Sequence, residues 1–149
     1  IHAVFVGKDH GAGASLRRSI EALGVEDNIH FLGYVDDEMM PELYRASMGL
    51  VMASYFGPTN IPPLEALLLG VPVIASKQHT EQLGDAAVLF DPDDADELAS
   101  AIESLSSPAT RKKVAARGRS LLATMDRQRS EGYDELSHRI ELLAKRLLL

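Results

Sequence analysis

The sequence predicts an α/β fold, a parallel sheet of about five strands with helices on both faces. Three observations predict it. Short apolar runs alternate along the chain with segments of helical spacing. The runs are continuous rather than alternating polar with apolar, as in strands buried on both faces. The 149 residues are 46% hydrophobic, enough to bury one core of that size.

IHAVFVG (1–7) is a β-branched run that stops at glycine. Ser15 can cap a helix with Leu16, Ile20 and Leu23 on one face and Gly24 at its end. NIHFLG (28–33) predicts a second strand. DDEMMPELYRAS (36–47) predicts a helix with Pro41 in its first turn, where a missing N–H costs little. GLVMAS (49–54) predicts a third strand, residues 62–69 a helix, 71–75 a fourth strand and AAVLFDP (86–92) a fifth. Asp94 and Glu97 have capping-box spacing ahead of Leu98, Ala101, Ile102 and Leu105. Pro108 opens another helix, and a separate last helix is expected over 133–148. No repeat, low-complexity tract or linker interrupts the series.

In such sheets ligands bind beyond the carboxyl ends of the strands, where strand order reverses. Candidate residues therefore follow each strand: 7–9, 33–35, 54–61 and 76–81. The most informative stretch is YFGPTNIPPLEALLLGVPVIAS (55–76). Pro58, Pro62 and Pro63 stiffen the loop, and Gly57 permits close backbone approach. Asn60 can cap the helix, whose N-terminal dipole end suits an anion. Leu64, Leu67 and Leu68 are expected to pack inward. Glu65 is the single carboxylate there. Its two oxygens suit a vicinal diol such as a ribose, although the dipole alone would equally account for an acid near a helix start.

The same stretch resembles the donor-binding motif of the family-four retaining glycosyltransferases, enzymes of two-domain GT-B architecture. The resemblance extends to IHAVFVG, FLGYVDDEMMPELYRAS and EQLGDAAVLFDPDDADELASAIESL, in the family's order and spacing. It implies the C-terminal, Rossmann-like half of a GT-B fold. It further implies that Glu65 holds the nucleotide ribose and that Thr59, Asn60 and Ile61 meet the donor's sugar and phosphate. Gly33, Tyr34 and Val35 would lie beside the nucleobase. The implied donor is a UDP- or GDP-sugar, with no metal or other cofactor required of this domain. The implied setting is cytoplasmic, for a hexosyltransferase of polysaccharide or glycoconjugate synthesis.

The chain departs from that pattern in three places. Gly57 stands where the first Glu of the family's Glu-x7-Glu motif falls, so a carboxylate that contacts the donor sugar is replaced. The loop KQHTEQLG (77–84) is shorter than the family's, though Glu81 still matches its acid. The family's first C-domain strand, with an Arg and a Lys for the diphosphate, has no counterpart in the sequence, and neither has the N-terminal acceptor domain. The chain is therefore expected to be a single nucleotide-sugar-binding domain of a larger enzyme, catalytically incomplete alone. Without the missing strand, 1–6 and 49–53 are expected to pair directly in the order 2-1-3-4-5, or to flank a strand borrowed from another chain.

Composition narrows the classes further. The net charge is −7, and there is neither Cys nor Trp. Thiolate metal sites and disulfides are excluded, and an acidic body argues against a nucleic-acid partner. Residues 108–149 carry 10 Lys/Arg against 5 Asp/Glu. Such a segment can face an acidic membrane surface or form ordinary solvated helix faces, and the second reading is the simpler. His2, His10, His30, His79 and His138 lack metal-ligand spacing; His10 and His79 fall on expected site-side loops, where a ligand role stands beside the simpler reading of all five as surface histidines. Tyr55 and Phe56 are expected to line the core of their own loop rather than stack on a ligand. GKDHGAG (7–13) lacks both common phosphate-loop spacings. The alternative function is a non-catalytic nucleotide-binding or interaction module. A receiver-type signalling domain would need an acidic pair after the first strand and an Asp closing the third, and the sequence has neither.

Overall fold

The computed structural model describes residues 1–9, 11–56 and 61–147, with 141–147 described by backbone alone. It divides into two compact units, Ile1–Leu43 and Tyr44–Leu149.

In the first unit, β1 (Ala3–Val6) pairs in parallel with β2 (Ile29–Gly33). Their connection is α1 (Gly13–Leu23). The helix starts two residues before Ser15, whose hydroxyl donates to the Ala12 carbonyl instead of capping. The Asp9 carboxylate does the organising, accepting from the N–H groups of Gly11 (2.8 Å) and Gly13 (3.0 Å). Gly24, at φ 64°, closes the helix. Of the expected apolar face only Ile20 is fully buried, and Leu23 is 75% exposed. β1 is exposed along its whole length. Two strands are too narrow to cover an eleven-residue helix or to be covered by it on both faces.

The boundary between the units falls within α2 (Met40–Ala46), which carries Pro41 in its first turn as expected. The second unit holds β3 (Leu50–Met52), α3 (Ile61–Leu68), β4 (Val73–Ser76), α4 (Thr80–Leu83), β5 (Ala87–Phe90), α5 (Ala95–Ser104) and α6 (Pro108–Leu147). Its sheet is parallel, in the order β3-β4-β5, with Leu50 opposite Val73 and Val73 opposite Ala87. All four residues of β4 are buried, as a continuous apolar run between two helical layers requires. Ile74 and Phe90 pack with Ala101 and Leu105 of α5 and its C-cap. α3 and α6 contact each other, and both contact this sheet. There Gly118 of α6 admits Leu67 of α3, since a Cβ at 118 would stand 2.5 Å from the Leu67 Cδ2.

Three sequence expectations give way here. The last helix is not separate: α6 runs unbroken for 40 residues, because no proline follows Pro108 and Gly118 and Gly132 do not end a helix unless the chain turns left-handed there. Leu67 is buried, but Leu64 is half-buried and Leu68 is 71% exposed, because eight residues turn their last leucine past the sheet. β1 does not pair with β3: the described strands form two sheets, β1-β2 and β3-β4-β5. Each sheet lies in its own unit with its own helices, so nothing in the described backbone requires β1 and β3 to share hydrogen bonds. No described helix is long and apolar enough to cross a membrane.

Candidate functional site

α3 carries the candidate carboxylate. Its C-terminus is fixed by Gly70 at φ 74°, whose N–H reaches the Leu67 carbonyl (3.0 Å) while that of Val71 reaches Ala66 (2.8 Å). Pro63, Ala66 and Leu67 are buried, which turns Glu65 to the exposed side. The phenol of Tyr44, itself buried on α2, donates to Glu65 Oε2 at 3.1 Å. Burial, then the hydrogen bond and the charge of Glu65, push the Tyr44 phenol up to about 12. It therefore remains a donor at neutral pH.

The start of α3 is poor in donors. Pro62 and Pro63 have no N–H, so of the first-turn groups Ile61 supplies the described one. The attraction for an anion rests there on the dipole more than on a ring of hydrogen bonds. Gly57, Thr59 and Asn60, with Pro58, lie outside the described residues, as does His10.

The residue that leads into that loop is pinned from two sides. The Ser76 hydroxyl, fully buried at the end of β4, donates to the Ser54 carbonyl at 2.5 Å. The Ser54 Oγ and His79 Nε2 are hydrogen-bonded at 2.9 Å. His79 is thus 4% exposed and not a surface histidine. Its spacing could not show this, because the contact spans 25 residues. Tyr55 and Phe56 do not line a core: they are 57% and 84% exposed. The Tyr55 hydroxyl instead donates to Asp93, which raises the phenol above its ordinary value.

The turn after β5 forms a second clasp. Asp94 caps α5, accepting from Asp96 N–H (3.0 Å) and Glu97 N–H (2.9 Å). Glu97 does not complete the box by reaching back to Asp94. It accepts from Asp91 N–H (2.7 Å) and pairs with Lys77 Nζ at 2.9 Å. Lys77 holds the Glu97 carboxyl below its ordinary range, and Glu97 raises Lys77 in turn. Lys77 is therefore a partnered cation.

Of the other expected residues, Ile61 opens α3 and is exposed, and Glu81 stands exposed in α4. Gly33, Tyr34 and Val35 belong to the first unit. Gly33 ends β2 at φ 66° and accepts the Gly7 N–H at 2.7 Å, and Tyr34 is 68% exposed. Ser54 and Ser76 fall within the expected 54–61 and 76–81, but the bonds they make with each other and with His79 were not expected, and Tyr44 lies outside every expected site segment. Only the strand-end positions of the two serines hinted at them, and nothing in the sequence marks Tyr44.

The glycosyl transferases group 1 family matches residues 1–107. The O-antigen chain mannosyltransferase B of Escherichia coli is 40% identical over 93 residues, which is 60% of this chain and 24% of that protein. The solved C-terminal domain of a glycosyl transferase group 1 protein from Francisella tularensis is 27% identical, with a TM-score of 0.73 over 83% of this chain and 68% of that one. Anabaena HepE, solved with UDP and glucose, is 25% identical, with a TM-score of 0.72 over 90% of this chain and 40% of that one. The chain thus spans about a quarter of the curated relative's length. It belongs to the glycosyl transferases group 1 family and corresponds to a C-terminal domain of GT-B type.

Proposed function

We propose that this chain is the nucleotide-sugar-binding domain of a retaining glycosyltransferase, which moves a sugar from a UDP- or GDP-sugar to an acceptor. The observation that carries the reading is Glu65: an exposed carboxylate on a helix whose Pro63, Ala66 and Leu67 are buried, with Tyr44 holding one of its oxygens. The free lone pairs accept the two ribose hydroxyls. The dipole of α3 favours the anionic part of the donor, and Thr59, Asn60 and Ile61 meet the sugar and phosphate. Glu81 contributes from α4.

In the transfer the C1–oxygen bond of the donor breaks and its electron pair goes to the diphosphate, while the acceptor hydroxyl oxygen forms the new bond to C1 on the same face and yields its proton to the departing phosphate oxygen. Positive potential at the leaving group stabilises that charge, with no metal ion required of this domain. Lys77 is bound to Glu97, so the reading assigns the diphosphate's cations, with the acceptor site, to a further part of the same enzyme. Two similar proteins support the chemistry by their own descriptions: one is a mannosyltransferase, the other was solved with UDP and glucose. Calorimetric titration of the full-length enzyme with UDP, GDP and ADP tests the reading. UDP or GDP is expected to bind, and failure of both, whether or not ADP binds, overturns it. Retention is read from the anomeric proton coupling of the product, and an inverted product contradicts that part.

A further inference from the structure

We propose that Tyr44 is a positioning residue for the nucleotide: its hydroxyl fixes Glu65 Oε2, so that the carboxylate meets the ribose diol already oriented. The inference rests on the ribose role of Glu65 given above and assigns to it a partner 21 residues away on another helix.

Glu65 is exposed and has three side-chain torsions, so without a tether it samples many directions. Tyr44 has two, and its ring is buried at 7% exposure, so its hydroxyl is held where the fold puts it. The 3.1 Å bond transfers that order to one oxygen of Glu65 and leaves Oε1 with the second lone pair of Oε2 for ligand. The phenol is pushed up to about 12, so it donates throughout the pH range in which the ligand would bind. A tyrosine that only filled the core would need no hydroxyl aimed at an exposed acid. Ordering the acid before binding removes a cost that binding would otherwise carry.

The test compares wild type, Tyr44→Phe, Glu65→Gln and the double variant. Each is titrated in the full-length enzyme with the ribonucleoside diphosphate that wild type binds and with its 2′-deoxy form. Tyr44→Phe is expected to raise Kd for the ribonucleotide about three- to ten-fold, the effect of one less ordered side chain. Its preference for ribose over deoxyribose should shrink by a similar factor, and the double variant should bind no worse than Glu65→Gln alone. Wild-type affinity and ribose preference in a folded Tyr44→Phe overturn the proposal. So does a Tyr44→Phe that fails to fold, because the ring is kept and the hydroxyl would then serve the core. Unchanged ribose preference in Glu65→Gln overturns the ribose role itself, and the proposal with it.

Discussion

Gly118 of α6 faces Leu67 of the helix that carries Glu65, and Gly118→Ala measures how tight that approach is. A Cβ there would meet Leu67 Cδ2 at 2.5 Å and Leu67 Cγ at 3.4 Å. Leu67 is 1% exposed, so it cannot swing into solvent. Overfilling a packed site of this kind costs about 1–3 kcal/mol. Replacing glycine by alanine inside a helix returns about 0.5–1 kcal/mol. The net expectation is a loss of about 1 kcal/mol. With a urea slope of about 2 kcal/mol/M, the midpoint should fall by about 0.5 M at unchanged slope. Gly132→Ala on the same helix is the control, because nothing stands within 4 Å of a Cβ there. It should raise helicity by circular dichroism and leave the midpoint unchanged or higher. A Gly118→Ala midpoint at or above wild type would refute the packing of α6 on α3 through this glycine.

Glu65→Gln should weaken nucleotide binding ten-fold or more, since charge-assisted hydrogen bonds are worth about 1.5–3 kcal/mol and neutral ones about half that. Its melting temperature without ligand should move by less than about 2 °C, because Glu65 is exposed; a large drop with unchanged affinity would reject the role. Ser76→Ala removes the buried donor to the Ser54 carbonyl and should cost about 1–3 kcal/mol in urea unfolding, and a neutral result would show that the carbonyl finds another partner. The raised Tyr44 phenol makes a definite pH prediction. Its stabilisation is fully present below pH 10, the unfolded value, and is lost as pH rises through about 12, where the folded phenol ionises. The phenolate absorbance that Tyr44→Phe removes should appear in that window and shift to lower pH in Glu65→Gln; an unshifted titration would deny the contact.

The sheet of the second unit was legible because GLVMAS, VPVIAS and AAVLFDP are continuous apolar runs and each holds a strand, although only β4 is buried throughout. Asp94 was legible as a cap because capping is local. What failed was non-local. The Tyr44–Glu65 and Ser54–His79 bonds join residues 21 and 25 apart, and no pattern along the chain encodes which polar groups meet. Leu68 and Leu23 read as core from spacing alone, but exposure depends on how far the neighbouring layer extends. The unbroken α6 was missed because exposed polar sequence after Met125 gave no periodicity to follow, although no proline stopped the helix. The expected joining of β1 to β3 rested on unpaired backbone groups alone, and the described strands instead form two sheets.

The central claim is that this domain binds a nucleoside diphosphate through the ribose at Glu65. Its most direct measurement is the calorimetric Kd of the full-length enzyme for UDP and GDP, each beside its 2′-deoxy form. The account predicts saturable binding of one of the two bases, at least ten-fold tighter for the ribose than for the deoxyribose form, and a difference that vanishes in Glu65→Gln. Equal affinity for ribose and deoxyribose forms in the wild type, or no binding of either base, would contradict it.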